Sequence, residues 1–105
     1  MTILDKRSAM RKGLLELAVL KIIAKQKAYT SDIIAQLATT EFATQEGTLY
    51  PLLSRMSRDG LVSHAWTESK SGPPRKYYEL TEQGRTHLFQ LDQYWRLLVA
   101  TMQEL

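Results

Sequence analysis

The chain has 105 residues, 44% of them hydrophobic, 24% charged and 9% aromatic. That fits one compact domain and leaves little room for two full cores. Cysteine is absent, which removes disulfides, thiolate nucleophiles and Cys-ligated zinc, and five Gly and three Pro are too few for a linker-rich or disordered chain. The net charge of +3 is unevenly spread: residues 1–30 carry seven Lys/Arg against two Asp/Glu, and the rest is close to neutral. One basic end is thus offered to an anionic partner.

No apolar run approaches the ~18–20 residues of a membrane span. The opening MTILDKRSAMRKG lacks the apolar stretch of a secretory signal, so a cytoplasmic protein is expected, with no membrane partner.

Ser8 to Gln26 is the first strongly helical stretch. Met10, Leu14, Leu17, Ala18, Val19, Ile22 and Ile23 form a band wide enough to touch two partners, its own core and another subunit. In YTSDIIAQLATTEF, Thr30 or Ser31 is an expected N-cap for a short second helix closing near Ala38, with Ile33, Ile34 and Leu37 inside. Thr44 is placed to cap a third helix, QEGTLYPLLSRMSRD, which Gly60 stops. Leu49, Leu52, Leu53 and Met56 give it one buried face. The opposite face carries Gly47, Pro51, Ser54 and Arg58, flanked by Thr48, Tyr50 and Arg55. Pro51 removes a helical hydrogen bond at ~3 kcal/mol, so the helix either starts near Thr48 or kinks at the proline.

LVSHAW and RKYYEL are β-prone runs, and the polar TESKSGPP between them reads as a long, mobile hairpin tip. Strand alternation sets Lys76, Tyr78 and Leu80 on one face and Arg75, Tyr77 and Glu79 on the other. Thr81 then caps a helix from Glu82 to about Gln103, in which Leu88, Leu91, Trp95, Leu98, Met102 and Leu105 are spaced as a coiled-coil seam. A stripe of that kind is expected to pair with a second copy of the chain.

Three helices and a hairpin in this order make a winged helix-turn-helix: a mainly α fold with a small β-hairpin, to which a C-terminal dimerisation helix is added. Residues 1–81 would form the DNA-binding part and 82–105 the dimerisation helix, in one compact unit. The third helix would enter a major groove and the hairpin would be the wing. Gly47 and Pro51 allow close approach, while Thr48, Tyr50, Ser54 and Arg55 offer donors and acceptors to base edges or phosphates. Arg58, Arg75, Lys76 and Tyr77 complete the expected DNA-binding set, with Arg75 and Lys76 free to reach phosphates or the minor groove from near the wing tip. Lys6, Arg7, Arg11 and Lys12 suit the flanking backbone or plain solvation.

The runs GTLYPLL, DGLV and GPPRKYYELTEQG resemble the PadR-like family of bacterial transcriptional regulators, in its short form with a single C-terminal helix. The resemblance covers roughly residues 12–100. It implies a homodimeric winged-helix repressor on a near-palindromic operator. The segment AYTSDI departs from the family's pattern by placing Thr30–Ser31 in its middle. The resemblance also implies that an aromatic residue on the C-terminal helix lines a slot between subunits for a planar aromatic small molecule. Here that residue is Trp95, with Leu91, Tyr94 and Leu98 beside it; the alternative is a closed seam in which Trp95 is plain core.

An enzyme is not expected. His64 and His87 are the only histidines; the one carboxylate three or four residues from either is Glu68, four along a β-prone run from His64 and thus ~13 Å away in a strand, and no phosphate loop or nucleophile elbow is present. No metal or cofactor is therefore assigned. The alternative to a DNA-binding regulator is a winged-helix adaptor that binds another protein without DNA affinity. The outward-facing Arg55, Arg58, Arg75 and Lys76 favour DNA.

Overall fold

The computed structural model describes residues 2–105; Met1, which opens the stretch read for a secretory signal and the expected 1–81 unit, lies outside them. The elements are α1 (Ile3–Lys25), β1 (Ala28–Tyr29), α2 (Thr30–Ala38), α3 (Glu46–Arg58), β2 (Val62–Ser69), β3 (Gly72–Leu80) and α4 (Glu82–Glu104). The sheet is antiparallel with order β1-β3-β2. This is a winged-helix core carrying a long C-terminal helix.

α1 starts at Ile3 rather than Ser8. The cause is a capping box: Asp5 N–H donates to Thr2 Oγ1 at 3.2 Å and Thr2 N–H donates to Asp5 Oδ2 at 3.1 Å. β1 was not expected, since two residues carry no readable alternation. Its pairing of Ala28 with Tyr78 and Tyr29 with Tyr77 fixes Tyr29 as extended. α2 therefore begins one residue early, with Tyr29 as N-cap and the Asp32 carboxylate accepting from Tyr29 N–H at 3.0 Å.

The core draws on every element before α4. Leu20 and Ile23 from α1, Ile33 and Leu37 from α2, and Leu49, Leu53 and Met56 from α3 are buried against Val62, Tyr78 and Leu80 of the hairpin. Truncating a fully buried leucine of this set to alanine would cost about 2–5 kcal/mol. α3 runs unbroken from Glu46 through Pro51, not from Thr48, and its N-cap is Gln45, not Thr44.

The end of α3 is tightly specified. Gly60 has φ +77°, its N–H donates to Ser57 O at 3.1 Å, and Leu61 N–H donates to Met56 O at 2.9 Å. This paired arrangement is a Schellman motif. Thr81 then ties α4 to it: its hydroxyl donates to Gly60 O at 2.6 Å and accepts from Gly84 N–H at 2.9 Å. Gly84 is buried so closely there that a Cβ would fall 1.9 Å from the carbonyl oxygen of Leu61.

The wing differs from its expected form. TESKSGPP is largely strand: β2 and β3 run to Ser69 and Gly72, which pair across a two-residue turn at Lys70–Ser71. Pro73 and Pro74 stand opposite Glu68 between the Thr67–Arg75 and Ser69–Gly72 pairs. A bulge is one of the few places a sheet accepts proline, because ladder hydrogen bonds are already broken there.

α4 matches its expected span, but its seam is divided. Leu88 and Leu91 pack against the core of their own chain, whereas Trp95, Leu98, Met102 and Leu105 are exposed, along with Phe89, Tyr94 and Leu97. The molecule is elongated, with a Cα radius of gyration of 15.3 Å against ~13 Å for a compact domain of 100 residues.

Candidate nucleic-acid interface

The outer ridge of α3 is formed by Gly47, Pro51, Ser54 and Arg58, all exposed above the buried Leu49, Leu52, Leu53 and Met56. Gly47 has no internal reason to be glycine, because a Cβ there would meet nothing within 4 Å. A glycine inside a helix costs about 0.5–1 kcal/mol relative to alanine. Nothing in the fold requires glycine at Gly47, as nothing does at Gly13 of α1, and the α3 backbone is left bare toward solvent there. Pro51, whose missing N–H would have met the Gly47 carbonyl, makes the same stretch free of long side chains.

The two flanks of α3 lean in opposite directions. On one side, Thr48 shares a hollow of about 300 Å³ with Arg11, Lys12 and Phe42. Arg55 reaches back on that side to α1, its Nη2 3.8 Å from Glu16 Oε1, and Glu16 Oε2 lies 3.5 Å from His87 Nε2 of α4. Sequence spacing shows no carboxylate near His87 because Glu16 comes from another helix. The chain Arg55–Glu16–His87 thus links α3, α1 and α4. Arg7 and Arg11 of the basic end are 3.6 and 4.0 Å from Glu41 in exposed, weak pairs.

On the other side, Tyr50 faces the wing across a hollow of about 290 Å³ lined also by Tyr29, Ser31, Glu46, Trp66, Arg75 and Lys76. Arg75 is more constrained than a free wing-tip cation. Its Cζ lies 3.8 Å over the Tyr29 ring and its Nη2 donates to Ser31 Oγ at 2.9 Å. Tyr77 is half-buried between the Tyr29 ring edge and Lys27 Nζ, 4.6 Å from its centroid. The departure Thr30–Ser31 is therefore used locally: Thr30 is buried and Ser31 anchors the wing. Lys76 lies 5.8 Å from the Trp66 centroid and 5.5 Å from that of Tyr78.

The four residues expected to line an aromatic slot are not brought together around one hollow. Trp95 lines a hollow of about 390 Å³ with Lys21, Asp92, Arg96, Val99, Ala100 and Gln103. Leu91, Tyr94 and Leu98 are not in its wall. Lys21 Nζ lies 2.8 Å from Asp92 Oδ1, and Arg96 Nε donates to Oδ2 at 3.0 Å. Hydrogen bonds from Lys21 first, then Arg96, hold the Asp92 carboxyl below the ordinary carboxylate range. Among the described residues, no helix is long and apolar enough to cross a membrane.

The family model for transcriptional regulators of the PadR-like family matches residues 19–90. A PadR-like transcription factor from Bacteroides fragilis is 45% identical, with 95% of this chain and 97% of that one covered and a TM-score of 0.82. A PadR-like regulator from Bacillus cereus is 34% identical over 91% and 94% of the two chains, also at TM-score 0.82. A PadR-family regulator from Eggerthella lenta is 28% identical over 97% and 89%, at TM-score 0.89.

Proposed function

The chain belongs to the PadR-like family of transcriptional regulators, and from that footing we propose that it acts in the cytoplasm as a homodimeric repressor on a near-palindromic DNA operator. The observation that carries this reading is the outer ridge of α3, a bare Gly47–Pro51 backbone bordered by Thr48, Tyr50, Ser54, Arg55 and Arg58. In a major groove, Ser54 and Arg55 are the base-reading side chains, and Arg55 exchanges its long contact with Glu16 for a base or phosphate. Lys76 supplies phosphate contact from the wing. Arg75 and Tyr77 set the wing's angle through Tyr29, Ser31 and Lys27, and Arg75 keeps exposed donors for the backbone.

Dimerisation is assigned to the exposed part of the seam, Trp95, Leu98, Met102 and Leu105. Leu88 and Leu91 support it by fixing α4 to the core of each subunit. Residues 1–81 and 82–105 then work as one unit, because Thr81 and Gly84 join α4 to the end of the recognition helix. A planar aromatic ligand at Trp95 would be completed by the second subunit, and would act on DNA by changing the spacing of the two α3 helices. Half-sites on one face of a duplex are ~34–36 Å apart.

Selection of bound duplexes from a random pool, followed by footprinting, tests this reading. The expected result is two inverted half-sites about one helical turn apart. Retention of no duplex at low salt would overturn it in favour of an adaptor that binds protein.

A further inference from the structure

Trp66 belongs to none of the roles assigned so far. Its neighbour on the same strand face, Val62, is buried in the core, but Trp66 itself is 63% exposed. Since successive side chains alternate, Val62, His64 and Trp66 point the same way, as do their cross-strand partners Leu80, Tyr78 and Lys76. The inner face of the hairpin is thus core at its root and open beyond Tyr78. There it overhangs α3, and Trp66 shares its hollow with Tyr50 and Glu46 of α3 and with Ser31, Arg75 and Lys76.

We propose that this cleft between wing and α3 seats one sugar–phosphate strand of duplex DNA, with Trp66 packed flat on a deoxyribose and Lys76 on the adjoining phosphate. The inference rests on the reading of α3 and wing as a DNA-binding surface and names an occupant for the space between them. A recognition helix in the major groove and a wing in the neighbouring minor groove are separated by one backbone strand. Whatever lies between the two elements must meet that strand. Its alternating chemistry, apolar sugar and anionic phosphate, matches a wall of one exposed indole and two cations.

Charge orders the strand within the cleft. Glu46 is the one carboxylate in the lining, on the α3 side, while Arg75 and Lys76 lie on the wing. Phosphates are drawn to the wing cations and kept from Glu46. The neutral sugar between them falls against the indole. Arg75 is held by Tyr29 and Ser31, so it offers a fixed positive charge, whereas Lys76 moves its ammonium from the Trp66 ring to the phosphate.

The contact is to the backbone, so a random-sequence duplex at low salt is a sufficient probe. The full chain carries two tryptophans, Trp66 and Trp95; labelled with 5-fluorotryptophan it gives two fluorine resonances, assigned with Trp66→Phe. Adding duplex is expected to shift the Trp66 resonance. Trp66→Ala is expected to lose about tenfold in affinity through lost apolar contact. Its salt dependence and melting temperature stay unchanged, because an exposed uncharged side chain is removed. Glu46→Gln is expected to tighten binding several-fold. Duplex binding with the Trp66 resonance unmoved, or with Trp66→Ala binding as tightly as the parent, would overturn this inference and leave the DNA-binding reading standing. A Trp66 resonance that moves on concentrating the protein alone, and not with DNA, would reassign the indole to a contact between copies. No duplex binding by the parent chain would overturn both.

Discussion

Two of the surfaces that the fold leaves uncovered have opposite chemistry. The ridge of α3 with the inner wing shows a bare backbone, hydroxyls and cations. The second half of α4 shows Trp95, Leu98, Met102 and Leu105, large apolar side chains with no polar partner to satisfy. The first surface attracts an anion and releases it when salt screens the attraction. The second is satisfied by apolar surface and holds it regardless of salt. On the proposed reading, the tie between subunits and the tie to DNA would then respond differently to salt.

Between these surfaces lies the joint at Gly60, Thr81 and Gly84, and breaking it has the largest expected effect. In Gly84→Ala the new methyl meets the Leu61 carbonyl, a backbone group that cannot swing away. A cost of about 3 kcal/mol is expected, seen as a melting temperature lowered by more than ~10 °C.

Next in size is the contrast between two leucines of one seam. Leu91→Asp puts a charge against the core and should lower stability by ~2 kcal/mol, measured by denaturant unfolding. Leu98→Asp lies on the exposed stripe and should leave each subunit folded while giving a monomer by light scattering at tens of micromolar. Equal effects of the two substitutions on unfolding would erase the division of α4 into a docked and a free half.

Gly47→Ala sharpens the α3 side, with opposite signs in two measurements. Filling open space with a better helix former should raise stability by about 0.5–1 kcal/mol. The same methyl on the ridge should weaken DNA binding in a mobility-shift titration. A stabilised variant with unchanged DNA affinity would remove Gly47 from the interface.

The smallest effect concerns pH. The Asp92 carboxyl is held low by Lys21 and Arg96, so its contribution is present above the ordinary aspartate pKa and is lost as pH falls through its lowered value. Melting curves of the parent chain and Asp92→Asn should therefore differ near neutrality and converge in acid.

Much of this was legible in the residues. The periodicity of Leu49, Leu52, Leu53 and Met56 defined the buried face of α3 and, by subtraction, its ridge. Gly60 and Thr81 marked the ends that the structure gives. What escaped depends on contacts between distant segments. The β1 pair is two residues long, and only its partner in β3 makes it a strand. Arg75 reads as a free cation until Tyr29 and Ser31 are brought beneath it, and His87 reads as isolated until α1 supplies Glu16. The seam from Leu88 to Leu105 is continuous in sequence, and nothing in its spacing tells where the chain's own core stops covering it. Trp66 reads as an ordinary β-forming residue, because its exposure is set by how far the hairpin extends beyond the core.

The central claim, that α3 and the wing form an electrostatically anchored DNA interface on a dimer, is tested most directly by the salt dependence of duplex binding. With about three to five phosphate contacts per subunit, log K against log salt should fall with a slope of about −5 to −9. A slope indistinguishable from zero would contradict the account.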